Sequence, residues 1–392
     1  MRGAGSDVAI ASVEACASLK SLSCKRPWQK LPTTQVLRGD MSSFLPGFLD
    51  RLALSSVTVQ TVRQIGEHKG RQDLFRLQVP EKLENLRQVA LIQSVESSNR
   101  IEGVTAAPAR LKALVNEQST PRDRSEGEIA GYRDVLATIH ASAPDIPFTD
   151  RVVLQLHRDL MRYGTLPGGV WKAAQNEIEE LRPDGTRFIR FRPTPPHLVA
   201  DAMSRLHGAF AAEMKAGRCE PLILISLYVL DFLCIHPFSD GNGRMARLLS
   251  ALALHHQGYE VARYISLERL IEQTKESYYD TLWRASQGWH EGAHNPMPWV
   301  DYFLSVLLAA GREFESRIGS LTTSHGSKTD IVILAIDRML GSFSITELAA
   351  ACPSVSRVWI KNVLDQLKRD GKIVPEGRGR GARWRKTSSE LV

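Results

Sequence analysis

Fifteen residues, IHPFSDGNGRMARLL at 235–249, bring together every group needed to handle an anion. His236 is the one side chain there able to act as a base near neutral pH. Asp240 offers hard carboxylate oxygens suited to Mg2+. Gly241 and Gly243 let the chain turn tightly, so the N–H groups of Gly241, Asn242 and Gly243 reach the surface and merge into a helix start. Such a nest followed by a helix N-terminus is a backbone site for phosphates. Arg244 and Arg247 are three apart, a spacing that aims both the same way, and two guanidiniums suit a diphosphate or triphosphate. The run lacks the G-x-x-x-x-G-K-[ST] pattern of a Walker A loop. The bland alternative, a helix–loop–helix connection with a chance histidine, explains none of these residue types at this spacing.

These groups need rigid elements behind them. The apolar run Pro221–Ile235 ends against Pro237, which removes a donor and pushes His236 out of helical geometry; a second helix covers Arg244–Gln257. Upstream, PEKLENLRQVALIQSVESSNRIEG reads as one long helix opened by Pro80 and closed by Gly103. Glu102 stands in its last turn, where the macrodipole makes an acid unfavourable unless a cation answers it. Ser98, four residues earlier, shares its face. Two more amphipathic helices fall in 126–163, separated by SAPDIPFTD, with Thr149 or Asp150 as the cap. At 168–196 the texture changes, and two short extended pieces around Pro183-Asp184-Gly185 read as a β-hairpin. Its edge could take up a segment of another protein by strand addition, or simply cover the core. Further helices are expected at Pro196–Lys215, Ser266–Gln287 and Pro298–Ile318.

The chain of 392 residues is long enough for several domains. Residues 1–40 lack periodicity and read as disordered, or as an over-extended start, since Met41 opens a more natural beginning. A helical region is expected at 41–125, a catalytic core at 126–318, a polar linker (GSLTTSHGSKTD) at 319–330 and a C-terminal module at 331–386. From Ser354 to Lys386 there are ten Lys and Arg against three Asp and Glu, which accounts for the whole formal net charge of +7. That module reads as helix, turn, longer helix and a basic Gly/Arg segment, laid out like a winged helix-turn-helix. Arg357, Lys361 and Lys368 lie on its candidate recognition helix, with Arg378 and Arg380 in the wing, a surface fitted to nucleic-acid phosphates. A small dimerisation or target-docking domain with a solvated basic rim is the equal alternative. Five cysteines without a C-x-x-C pair argue against a disulfide framework or structural zinc. The longest apolar run is too short to cross a bilayer and carries Asp231. The N-terminus makes a poor signal peptide, interrupted by Glu14 and serines, so a cytoplasmic protein without a membrane partner is expected.

HPFSDGNGRMAR resembles the Fic-family motif H-P-F-x-[DE]-G-N-G-R-x-x-R at every defined position. The resemblance extends over roughly residues 45–318. Trp171, Gln175-Asn176 and Phe191-Arg192-Pro193-Thr194-Pro195-Pro196 look like the family's hairpin flap and its exit, and SLERLIEQTKESYYDTLWRAS resembles the helix closing the nucleotide pocket, with Tyr278 and Tyr279. Ser98-x-x-x-Glu102-Gly103 matches the inhibitory motif [ST]-x-x-x-E-[GN]. The resemblance implies a mainly α fold, a Fic-type helical core with an inserted β-hairpin flap followed by the small winged module. It implies transfer of AMP from ATP to a Ser, Thr or Tyr hydroxyl of a target protein docked on the flap 168–196. His236 would take the hydroxyl proton, Asp240 would hold Mg2+, and Asn242 would help to place the α-phosphate. The N–H groups of 241–243 would form the anion hole, and Arg244 and Arg247 would bind the outer phosphates. Glu102 would pair with Arg247 and hold ATP unproductive. In some relatives the same glutamate also helps to remove AMP, and Fic-like proteins often pair as homodimers. Relatives that phosphorylate their targets tend to carry Lys where this chain has Gly243. The flap departs from the usual pattern, since NEIEELRPDGTRF is acidic, and target preference does not carry over.

The rival reading is a DNA-binding regulator in which the core only senses ATP. His140, His157, His197, His207, His255 and His256 show no metal-ligand spacing, and Trp171, Trp283, Trp289 and Trp299 read as packing residues.

Overall fold

In the computed structural model, residues 42–387 are described, apart from 79, 117–118, 182–185, 323–326, 340–341, 354 and 378–381. All of them fall within the compact unit 39–392. The expected disorder of residues 1–40, the Pro183-Asp184-Gly185 turn and the wing residues Arg378 and Arg380 therefore lie outside the described residues.

The chain order is α1 (Ser56–Gln78), α2 (Pro80–Ile101), α3 (Pro108–Val115), α4 (Arg124–Ser142), α5 (Asp150–Leu160), β1 (Ile178–Leu181), β2 (Arg187–Phe191), α6 (Val199–Ala216), α7 (Pro221–Ile235), α8 (Asn242–His256), α9 (Leu267–Gln273), α10 (Lys275–Ser286) and α11 (Met297–Thr322). A second group follows: α12 (Ser327–Arg338), β3 (Ser342–Ser344), α13 (Ile345–Ala351), α14 (Arg357–Arg369), β4 (Ile373–Glu376) and β5 (Arg383–Lys386).

The fold is mainly α, and α7 explains its centre. PLILISLYVLDFLCI is apolar all round, and every residue from Leu222 to Ile235 except Leu233 is buried. A helix without a polar face must be enclosed by others, and α6, α8, α10 and α11 pack on it. Asp231, the one acid on α7, accepts hydrogen bonds from the Ser43 hydroxyl (2.6 Å) and the Trp289 indole (2.7 Å). Burial pushes its carboxyl up to about 7. Among the described residues no helix is long and apolar enough to cross a membrane.

Local chemistry sets the helix ends. Thr149 caps α5 through Val152 N–H, as one of the two expected caps, and Ser266 caps α9 through Arg269 N–H. At the end of α2, Gly103 takes φ 81°. Val104 N–H then reaches back to Asn99 O at 2.9 Å, the six-to-one bond of a Schellman-type stop.

Two expectations are corrected. The single helix expected at 266–287 is two, α9 and α10, because the chain breaks at Thr274, whose hydroxyl turns back onto Leu270 O. The linker expected at 319–330 is largely helical. α11 runs through Thr322, because burial of Ile318 outweighs the small propensity cost of Gly319 and Ser320.

Strands β1 and β2 form the expected antiparallel hairpin, with Glu179 opposite Ile189 and a register shift at Ile178/Glu179. In the C-terminal group β5 lies between β3 and β4, all antiparallel, with Phe343 opposite Trp384. Its apolar residues, including Val332, Leu348, Ile360, Leu364 and Trp384, form a cluster separate from the main core.

Candidate active site

The loop 236–241 joins the C-terminus of α7 to the N-terminus of α8. His236 is the only non-glycine residue with positive φ among the described residues, at 51°. It ends α7 in the left-handed conformation that usually falls to glycine. Its ring Nδ1 lies 3.2 Å from Leu233 O. A carbonyl only accepts, so the proton sits on Nδ1 and Nε2 carries the lone pair. Burial pushes the imidazole down to about 4, so the ring is neutral at physiological pH.

The loop is braced from three directions. The Asn242 side chain closes it from within, accepting from Phe238 N–H (2.9 Å) and donating to Phe238 O (2.7 Å). His157 of α5 stacks on Phe238 with ring centroids 3.6 Å apart. Its Nδ1 accepts from Gly169 N–H, leaving Nε2 to donate to Asp240 O at 3.1 Å. From the base of the hairpin, Lys172 N–H donates to Pro237 O and the Asn176 amide donates to Phe238 O.

Helix α8 begins at Asn242 with no side-chain cap, and its N-cap, Gly241, has φ 80°. The first N–H groups of an α-helix have no partner within it, so those of Asn242 and Gly243 are offered outward. The expected cradle is smaller than three, because Gly241 N–H is taken by Asp240 Oδ1 at 2.6 Å. The Asn242 amide is also spent on the loop, so any contact from this residue comes from its backbone.

The two arginines part company. Arg247 is buried; Nε donates to Ser98 Oγ (2.9 Å), and Nη2 to Ser98 O (3.0 Å) and Glu102 Oε1 (2.7 Å). Arg244, also buried, turns to Glu128 Oε2 (2.7 Å) and Asp240 Oδ1 (3.4 Å). The three-residue spacing aims both Cα–Cβ bonds alike, but the long stems follow acids on opposite sides, and the expectation that both face one anion is corrected. Arg124 joins the second group, 2.8 Å from Glu128 and 3.8 Å from Asp240.

Glu102, in the turn that ends α2, reaches across to α8. A β-carbon on Gly243 would meet its carboxylate and crowd Arg247, so glycine at 243 lets the contact form without the Glu102 side chain having to shift. Lys275 Nζ donates to Ile101 O at 2.7 Å and closes the end of α2.

Beside these groups lies an open cleft of about 730 Å³. Its floor is apolar, from Leu230, Leu233 and Cys234 of α7; Tyr278, Tyr279 and Leu282 of α10 form a wall, and Ile178, Arg190 and Phe191 of the hairpin form the other. Glu102, His236, Gly243 and Arg247 share its polar end. Tyr278 is buried against Trp299 and Tyr302, while Tyr279 stands half-open at the mouth. Trp283, expected to be a packing residue, is 37% exposed and lines the cleft.

Sequence reading passed over His157, Lys172, Glu128 and Arg124. The only sequence signal of His157, Lys172 and Glu128 was a polar type at a position that the helical period or the hairpin base turns inward, and the exposed Arg124 at the start of α4 gave none. Among the described residues no cluster of three or more His, Cys, Asp or Glu could hold a metal by itself.

Residues 147–254 match the Fic/DOC family. Over 212 residues, 53% of this chain, the sequence is 26% identical to Protein adenylyltransferase Fic of Culex quinquefasciatus, and over 211 residues it is as similar to that of Drosophila melanogaster. The match spans only 39% of each relative's length. Among solved structures, a Fic family protein from Desulfovibrio desulfuricans G20 superposes with a TM-score of 0.55 at 22% identity, over 87% of this chain and 98% of that one. A Fic domain containing signaling protein from Bacteroides thetaiotaomicron VPI-5482 gives 0.55 at 23% identity, over 66% and 97%. At such identities the likeness is one of fold.

Proposed function

We propose that this chain, whose residues 147–254 carry a Fic/DOC domain, transfers AMP from ATP to a protein hydroxyl and is restrained by Glu102. The observation that carries the reading is one juxtaposition. A neutral His236, the uncapped start of α8 and Arg247 meet at the polar end of an apolar cleft, with the Glu102 carboxylate bonded to the arginine.

In this reading the adenine lies in the apolar part of the cleft. The target hydroxyl gives its proton to His236 Nε2 as its oxygen attacks the α-phosphorus, and pyrophosphate leaves. The Asn242 and Gly243 N–H groups stabilise charge developing on the α-phosphate oxygens. Arg247 takes the outer phosphates once Glu102 withdraws, and Arg244 acts through Asp240. Asp240 fits Mg2+: its carboxylate is partly open, and among the described residues Oδ2 has only the long contact with Arg124. When bound there, Mg2+ would neutralise phosphate charge. Gly243 admits the inhibitory carboxylate and so supports a brake in the same chain.

The test uses Mg2+ and ATP labelled on the α- or the γ-phosphate, with self-modification or labelling of a lysate as readout. Wild type is compared with Glu102→Gly, alone and combined with His236→Ala or Arg247→Ala. Transfer of the α-label only, raised by Glu102→Gly and abolished by His236→Ala, is expected. Transfer of γ-label alone would make the protein a kinase and overturn the reading.

A second reading concerns the C-terminal module. Arg357, Lys361 and Lys368 are exposed along one side of α14 and form no ion pair among the described residues. Unpaired cations repeated along a helix face suit a nucleic-acid backbone, so DNA binding by this module is proposed alongside the transferase. The expected domains, 41–125 with the inhibitory helix, 126–318 and 331–386, are retained on the same footing.

A further inference from the structure

We propose that Lys172 is a positioning residue for His236: its buried ammonium ties the base of the hairpin to the last turn of α7 and holds the imidazole in place as a proton acceptor. The proposal rests on the reading of His236 as the base.

Lys172 is 3% exposed. Burying an ammonium is costly unless something answers it, and no carboxylate does so among the described residues. Burial alone pushes its amine down to about 8. The partners are neutral oxygens: Asn176 Oδ1 at 2.8 Å and, at 3.4 Å, Ile235 O. Ile235 O belongs to the C-terminal end of α7, where the backbone carbonyls carry partial negative charge and favour a cation.

The same stretch of hairpin holds the chain on both sides of His236. Lys172 reaches the carbonyl before it through Nζ and the carbonyl after it, Pro237 O, through its own N–H at 2.9 Å. Asn176, fixed by the ammonium, donates to Phe238 O at 3.1 Å. Between these anchors His236 sits at φ 51°, a conformation a non-glycine residue keeps only when its surroundings over-determine it. Lys172 thus bridges the hairpin and the helix end.

Its charge adds a second effect. A cation beside the imidazole disfavours the imidazolium. The other ionisable groups around the ring are Glu102 from α2, Asp240 from its own loop, Arg247 from α8, Arg190 from β2, and Tyr278 and Tyr279 from α10. Glu102 and Asp240 favour the imidazolium; burial and Lys172 oppose it.

Three substitutions separate place from charge in full-length Glu102→Gly protein, with self-modification by α-labelled ATP as readout. Lys172→Arg keeps donors and charge, Lys172→Gln keeps a donor, and Lys172→Met keeps neither. The maximal rate should fall about a hundredfold in Lys172→Met, as a misplaced catalytic group does, with the ATP concentration for half-maximal rate little changed. Lys172→Arg should restore most of the rate. The acid limb of the pH profile should move to higher pH in both Gln and Met, because loss of the cation raises the His236 pKa. Titration of the His236 ring by NMR checks that shift without any transfer, so it remains decisive if the protein proves not to be a transferase. His236→Ala, run in parallel, tests the base itself. Lys172→Met with an unchanged rate, or an unmoved His236 titration in a folded Lys172→Met protein, would overturn the proposal.

Discussion

Arg247 has two kinds of anchor, and their difference governs how a restraint here would work. Ser98 holds it with a hydroxyl and a carbonyl, both buried, whereas Glu102 holds it with one carboxylate that is 32% exposed. A hydrogen bond to a charged group contributes about 1.5–3 kcal/mol, so losing it shifts an open–closed balance by roughly 10- to 150-fold. Glu102→Gly should therefore raise AMP transfer by about tenfold or more, and Glu102→Gln should fall between it and wild type. Equal rates in all three proteins, measured with α-labelled ATP, would mean that this bond restrains nothing. His236 makes a second prediction at this scale. Its pKa, lowered mainly by burial to about 4, keeps the ring neutral at ordinary pH. The rate in Glu102→Gly, which also lacks a carboxylate that favours the imidazolium, should thus stay level as pH falls through the usual imidazole value near 6.5, and drop only at about 4 or below. A limb centred at 6.5 would mean a solvated ring.

The loop between α7 and α8 is the element on which the chemistry depends. Asn242 belongs to it more than to a ligand, since both ends of its amide are used on Phe238. In Asn242→Ala the buried Phe238 N–H loses its partner, at about 1–3 kcal/mol, and Phe238 O is left with the Asn176 amide alone. The melting temperature should fall, and transfer in the Glu102→Gly background should fall further than stability does. Undiminished transfer would mean that the Asn242 amide is dispensable to the loop's role in transfer. Local signals made much of this element legible: Pro237 and the two glycines mark the loop, and α2 and α8 follow their apolar period. Its braces were not legible. His157 and Lys172 are ordinary residues of a helix and a hairpin base until packing sets them against Phe238 and the end of α7. Even the break at Thr274, which separates α9 from α10 and lets Lys275 close α2, lacks a proline or glycine to announce it.

Two apolar cores, one spanning α1–α11 and one spanning α12–β5, divide the molecule, and the formal net charge of +7 is carried by the smaller part. If α14 binds duplex DNA, replacing Arg357, Lys361 and Lys368 together with alanine should weaken binding alike for unrelated sequences. It should also reduce the salt dependence by about three phosphate contacts. Transfer of α-label should be unchanged, because these residues are exposed on α14, whose apolar side belongs to the smaller core. Fluorescence anisotropy with a labelled duplex at several salt concentrations checks this; wild-type protein that fails to bind would leave the module as a protein-docking surface. At this scale the sequence alone determined what is local. The loop chemistry lies within a dozen residues, helical periods set out the elements, and the basic excess shows in the order of residues. Only the tertiary structure decided which arginine answers which acid. Arg244 meets Glu128 from 116 positions away and Arg247 meets Glu102 from 145. Sequence spacing can state where a side chain leaves its helix, but the end of a long, charged stem goes where folding has brought an opposite charge.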